Sequence, residues 1–84
     1  MSEKVVRMRI IALSYYHLKN YREALSWLDK LTMGVSTDPD VYFYLGHCAV
    51  ELKDFDAAMV YLTKYDGLHN DTLRTLLERC KNRD

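Results

Sequence analysis

The chain has 84 residues, of which 49% are apolar, and its 12 basic side chains balance 12 acidic ones. A chain of this length forms one compact domain with a small core and little net stability. Because the formal charge is zero, the composition does not favour nucleic acid or an anionic membrane surface as the partner. The N-terminal segment contains no apolar run long enough for a signal peptide or a membrane span. Two cysteines, Cys48 and Cys80, are too few for a disulfide framework, which favours a cytoplasmic protein.

Five helices are predicted in chain order, and no stretch shows the alternation of a strand. Their sequences are MRIIALSYYHL, YREALSWLDKLTM, VYFYLGHCAVEL, FDAAMVYLTKYD and LRTLLERCKN. A short polar side chain that can accept bonds from the first-turn amides precedes each helix: Ser2, Asn20, Thr37 or Asp38, Asp54, and Asn70 or Asp71. Pro39 suits the first position of the third helix, and Gly34 and Gly67 are expected to end the second and the fourth.

The sequence repeats itself at a spacing of 34 residues. Residues 11–28 read IALSYYHLKNYREALSWL, and residues 45–62 read LGHCAVELKDFDAAMVYL. A fixed period of this size is typical of stacked helical repeats. Helix axes approach closely where side chains are small, and the chain has such residues on both helices of each pair. They are Ala12 and Gly46 on the first helices and Ala24 and Ala58 on the second helices.

This pattern resembles the tetratricopeptide repeat (TPR) family, whose unit is a helix-turn-helix of 34 residues. The matching residues are Met8, Ile11, Ala12, Tyr15, Tyr21 and Ala24 in a first repeat at about 5–38, and Tyr42, Leu45, Gly46, Phe55 and Ala58 in a second at about 39–72. Ala49 stands where the family has Tyr, and Ser36 and Asn70 where it has a late Pro. The resemblance implies an all-α fold over 1–84, with antiparallel helix hairpins stacked as a TPR-like right-handed superhelix and a C-terminal helix at about 71–82.

In that family the first helix of each unit lines a concave groove that holds a peptide. The corresponding partner-binding residues here are Val6, Arg9, Leu13, Tyr16, His17, Phe43, His47, Val50 and Leu77. An apolar groove with aromatic side chains suits an amphipathic or hydrophobic helix of another protein. The alternative is that these residues only pack against the next helix. Leu13 and His47 occupy the asparagine positions of the family branch that clamps acidic tails, which argues against such a clamp.

The first helix is apolar on several faces, through Val5, Val6, Met8, Ile10, Ile11 and Leu13. Helices of this kind are usually buried, and arrays of two repeats are usually too short to be stable alone. We therefore expect another chain to cover this helix. His17 and His47 are expected to approach each other across the groove, so that protonation of both near pH 6 would weaken partner binding.

These features predict a cytoplasmic adaptor or chaperone that binds another protein as a hetero-oligomer, without nucleic acid or membrane. No enzymatic activity, cofactor or metal is expected, because the sequence has no phosphate loop, nucleophile motif or metal-ligand spacing. By its architecture the chain also looks like the needle-subunit chaperones of bacterial type III secretion. The alternative of a different class is a self-associating scaffold or a repeat segment of a larger TPR protein.

Overall fold

The fold is built from five α-helices. The computed structural model describes residues 3–33, 39–65 and 70–83, which form α1 (Glu3–His17), α2 (Tyr21–Leu31), α3 (Pro39–Glu51), α4 (Phe55–Lys64) and α5 (Asp71–Asn82). None of these three ranges contains a strand, so the predicted all-α class with five helices is confirmed. Pro39 is the first residue of α3, as predicted. The predictions for Ser2, Gly34, Thr37, Asp38 and Gly67 lie outside the described residues.

The turns inside the two hairpins have the same geometry. Lys19 and Lys53 both adopt the left-handed conformation, with φ of 63° and 62°. The amides of Asn20 and Asp54 donate hydrogen bonds to the carbonyls five residues earlier, at 2.9 and 2.8 Å. This is the bond pattern of a Schellman motif, which ends a helix and turns the chain back. The 34-residue repeat of the sequence is therefore also a repeat of the backbone.

The helix caps follow the backbone conformation of the capping residue. Asn70 is extended, with ψ of 176°, and its side chain accepts from the Leu73 amide at 2.8 Å. Asp54 has ψ of 75°, and its bond to the Ala57 amide is longer, at 3.4 Å. Asn20 has nearly the same conformation as Asp54, and its side chain makes no capping bond. The predicted Asn20 cap is wrong, because this ψ lies far from the extended value that aims a capping side chain at the helix.

Each hairpin is closed at the small residues. Ala12, Ala24 and Ala58 have no exposed surface. A Cβ placed on Gly46 would lie 2.6 Å from the Cγ of Leu62, far inside van der Waals contact. The packing of α3 against α4 therefore requires a glycine at this position, as the sequence pattern predicts.

Two core clusters share the central helix α3. The first contains Ala12, Ala24, Leu28, Leu31, Val41, Leu45 and Cys48, from α1, α2 and α3. The second contains Ala49, Val50, Phe55, Ala58, Leu62, Leu73, Leu76 and Cys80, from α3, α4 and α5. Leu25 and Tyr61 pack against both clusters. The two hairpins and α5 therefore form one continuous stack of helices.

The two end helices of the stack differ in their outer surfaces. In α5 the buried residues are Leu73, Leu76 and Cys80, and the exposed positions are all polar: Asp71, Thr72, Arg74, Thr75, Glu78, Lys81 and Asn82. In α1 only Ala12 is buried. Exposed apolar side chains remain on α1, namely Val5, Val6, Ile10 and Ile11. The α5 end thus has the polar outer face of a capping helix, and the α1 end does not.

Candidate protein-binding face

Residues that are 34 positions apart allow α1 and α3 to be compared face by face. The face of α3 that packs with the first hairpin consists of Val41, Leu45 and Cys48, all buried. The equivalent residues of α1 are Arg7, Ile11 and Ser14. Arg7 forms an ion pair with Glu3 at 2.9 Å, and the Ser14 hydroxyl donates to the carbonyl of Ile10 at 2.8 Å. The face through which one hairpin contacts another is therefore largely polar in α1.

A different face of α1 carries the apolar side chains. Val6, Ile10 and Leu13 are spaced by four and three residues, so they lie on one side of the helix. Val6 is 41% and Ile10 60% exposed, and Leu13 is half-buried. We call these three residues the α1 stripe. Ile10 is missing from the predicted site residues, although its spacing from Val6 and Leu13 is the signal that identifies it.

The equivalent face of α3 is polar and aromatic. It consists of Asp40, Tyr44 and His47, the residues 34 positions after the α1 stripe. Tyr16 of α1 packs against this face, with its ring 4.9 Å from that of Tyr44 and 5.2 Å from that of His47. Half of the predicted contact of Tyr16 with a partner is thus replaced by contact with the next helix. The candidate face has an apolar side on α1 and a polar side on α3.

A chain of polar contacts connects three helices along this face. The Tyr16 hydroxyl lies 2.5 Å from Nδ1 of His47. Nε2 of His47 lies 3.7 Å from Oε1 of Glu51, and the same oxygen lies 2.5 Å from Nη1 of Arg79. The contacts join α1 to α5 through α3. Glu51 was not predicted as a site residue, although it is the 34-residue equivalent of His17.

The protonation states fit this arrangement. Burial raises the pKa of Tyr16 to about 12, so its hydroxyl keeps its proton and can donate. Burial lowers the pKa of His47, and the nearby Glu51 carboxylate acts in the opposite direction. The hydrogen-bond network assigns the neutral His47 an acceptor at Nδ1 and a proton on Nε2, toward Glu51. The site therefore holds a neutral imidazole between a phenol and a carboxylate.

The remaining predicted residues of α1 lie beside this network. His17 is exposed, and its ring lies 5.5 Å from that of Tyr16. Since Tyr16 also contacts His47, the two histidines are bridged by one phenol ring. Arg9 is half-buried, and it lies three residues after Val6, on the edge of the α1 stripe.

The predicted residues of α3 and α5 are less exposed than the α1 stripe. Phe43 is half-buried, with its ring 6.0 Å from Tyr44 and 5.3 Å from Tyr65. Leu77 is also half-buried and lines a cavity of about 470 Å³, of which Met59 forms another part. Val50 has no exposed surface and lies in the second core cluster. Its assignment to the groove is corrected here: its α1 equivalent, Tyr16, also points toward the next helix of the stack.

The cysteines and the other metal-ligand residues form no centre of their own. Cys48 and Cys80 are free and buried. Burial raises the pKa of Cys48 to about 12 and also raises that of Cys80, so both are neutral thiols. In the part of the chain that the structure describes, no group of three or more His, Cys, Asp or Glu side chains could hold a metal ion.

Comparisons with protein-family models, with curated proteins and with solved structures find no significant match to this chain. Among the described helices, none is both long enough and apolar enough to cross a membrane. The functional assignment therefore depends on the geometry and chemistry of the helices themselves.

Proposed function

We propose that this chain is a protein-binding helical-repeat domain of the tetratricopeptide type that acts in the cytoplasm as an adaptor or chaperone. It holds an apolar or amphipathic helix of another protein against α1 and the adjacent face of α3. The observation that carries the proposal is the α1 stripe, in which Val6 and Ile10 are 41% and 60% exposed on a helix that buries only Ala12. The repeat of 34 residues in both sequence and turn geometry supports the comparison with tetratricopeptide proteins.

The energetics of the α1 stripe favour a helical partner. Complete burial of an exposed Val or Ile side chain contributes about 1.5–3 kcal/mol. The spacing of Val6, Ile10 and Leu13 matches the i, i+4, i+7 contacts of a helix that docks along another helix. A helix that is apolar around much of its circumference is normally covered. A partner helix would supply this cover, because the described residues leave the stripe open.

A narrower form of the proposal is a needle-subunit chaperone of type III secretion. The partner would then be a self-polymerising subunit, kept soluble while its amphipathic helix is bound. Small size and an apolar helix-binding face are what this form shares with the general proposal.

The proposal can be tested with a matched pair of variants in the native host. Val6→Asp introduces a charge into the α1 stripe, and Val60→Asp introduces the same charge on α4, where Val60 is 51% exposed. Tagged protein is purified under native conditions, and bound proteins are identified by mass spectrometry. We expect one partner to be retained by Val60→Asp and lost with Val6→Asp, with both variants equally helical by circular dichroism. A partner that binds both variants alike would contradict the proposed face.

The second candidate function is a self-associating scaffold, and the charge distribution favours it. Residues 3–33 carry six basic and three acidic side chains, whereas residues 39–65 carry two basic and four acidic ones. The first hairpin of one copy could therefore attract the second hairpin of another. Light scattering of the protein expressed alone separates the two functions. A defined homo-oligomer supports the scaffold, and a monomer, or a protein stable only with its partner, supports the adaptor.

A further inference from the structure

We infer that the helix bound by the α1 stripe is acidic, with Asp or Glu side chains on the flanks of its apolar face. This inference rests on the proposed function and specifies the chemistry of the partner. It follows from the charges that surround Val6, Ile10 and Leu13, and from the positions of α1 that are not apolar.

The α1 stripe has basic residues on both of its edges. Arg9 lies three residues after Val6 and four before Leu13, and Arg7 lies three residues before Ile10. The side chain of Arg7 is 74% exposed and contacts only one carboxylate oxygen of Glu3, at 2.9 Å. Lys4 is exposed on the same helix. In total, α1 carries three Lys or Arg side chains and one acidic side chain, so a docked helix meets a positive rim.

The other occupants of the stripe fit these observations less well. A second copy that docked through the same stripe would bring two sets of Arg7 and Arg9 together, which is unfavourable. A further hairpin of the same repeat would use the face of Arg7, Ile11 and Ser14, which is a different and largely polar face. A purely anionic ligand such as nucleic acid would leave the apolar side chains exposed. An acidic amphipathic helix fills the stripe and pairs with its rim.

Three synthetic peptides of about 18 residues, or five helical turns, test the inference. The first has Leu at i, i+4 and i+7 positions and Glu on both flanks. The second has the same Leu positions and Lys in place of every Glu. The third keeps the composition of the first but scatters the Leu residues so that they share no face. Each carries a fluorophore, and binding to the full chain is measured by anisotropy at about 0.05 and 0.5 M salt, where screening is weak and strong.

The acidic peptide should bind at least about tenfold more tightly than the basic one at low salt, and the difference should shrink at high salt. The scattered peptide should bind least tightly of the two acidic peptides. Ile10→Asp should weaken binding of the acidic peptide by about tenfold or more, whereas Val60→Asp should leave it unchanged. Arg7→Glu with Arg9→Glu should reverse the preference toward the basic peptide. Circular dichroism confirms that each variant is folded.

Different failures of this experiment have different meanings. If the acidic and basic peptides bind equally and Ile10→Asp weakens both, the helix-binding function stands and the inference of an acidic partner is overturned. If the scattered peptide binds as tightly as the first, the face attracts charge without recognising a helix, and the inference is again overturned. If none of the peptides binds at either salt concentration, both the inference and the proposed function are contradicted.

Discussion

At the scale of single residues, Gly46 determines how closely the helices of the second hairpin can pack. Its equivalent in the first hairpin is Ala12, so the repeat tolerates a methyl group there in one hairpin and not in the other. The difference arises because Leu62 lies directly over Gly46. A single side chain on α4 thus sets which residue α3 can carry.

Gly46→Ala should destabilise the protein through this contact. The substitution adds about 1 kcal/mol of helix propensity, but the overlap with Leu62 should cost about 1–3 kcal/mol, so the free energy of unfolding should fall. In a Leu62→Ala background the overlap is removed, and the same substitution should stabilise the protein. Urea unfolding of the four proteins measures both effects. The same sign in both backgrounds would contradict the close approach of α3 and α4.

His47 is the residue through which the fold should respond to pH. Its pKa is lowered by burial in the folded protein, so the unfolded chain binds the proton at the higher pH. Stability is therefore complete above the unfolded pKa of about 6.5, falls as the pH drops below it, and levels off below the folded pKa. The charged and titratable neighbours of the ring are Tyr16, Tyr21, Glu51 and Arg79.

We expect the midpoint of urea unfolding to fall between about pH 7.5 and 5.5, on either side of the ordinary pKa of histidine. His47→Gln removes the titrating group and should reduce this fall. The remaining pH dependence of the variant measures the contribution of all other groups. Equal dependence in the two proteins would show that His47 is not the responsible residue.

At the scale of the helices, the turn lysines are as informative as the core. Lys19 and Lys53 are held in a left-handed conformation that costs an L-residue about 1–2 kcal/mol relative to the right-handed one. Glycine has no such cost, which is why it is common at this position after a helix. Both hairpins therefore hold a strained residue where the chain reverses.

Lys53→Gly should raise the free energy of unfolding by about 0.5–1 kcal/mol, because it relieves this strain. Lys30→Gly is the matched control, since Lys30 is exposed within α2 and there glycine should lower stability by up to about 1 kcal/mol. Thermal or urea unfolding of the two variants provides the comparison. If both substitutions destabilise equally, the turn after α3 is not left-handed.

The helices and their pairing could be predicted because they depend on local signals. The 34-residue repeat, the small residues and Pro39 identify the two hairpins from the sequence alone. The Asn20 cap could not be predicted, because capping depends on ψ, which here is 74°. Residue type alone is the same at Asn20 and Asn70, and only Asn70 caps a helix.

The composition of the face was harder to predict than the fold, because exposure depends on how α5 packs. The residues buried in α5 are Leu73, Leu76 and Cys80, and Arg79 stands where α3 has the buried Leu45. The sequence therefore does not reveal that Val50 is covered. Ile10 was missed for another reason: the family positions were followed in place of the helical spacing from Val6.

At the scale of the whole molecule, the stack is asymmetric. The α5 end presents polar residues to the outside, and the α1 end presents the α1 stripe with a basic rim. A helix that buries one residue gains little from its tertiary contacts, so α1 should open more readily than α3. A partner that covers the stripe should remove this difference.

Hydrogen–deuterium exchange with and without the acidic peptide tests this central claim most directly. In the free protein the amides of α1 should exchange faster than those of α3, and saturating peptide should slow exchange in α1 while α4 stays unchanged. If α1 is already as protected as α3 in the free protein, or if the peptide slows exchange in α4 and α5 instead, the α1 stripe is not the face that binds a partner.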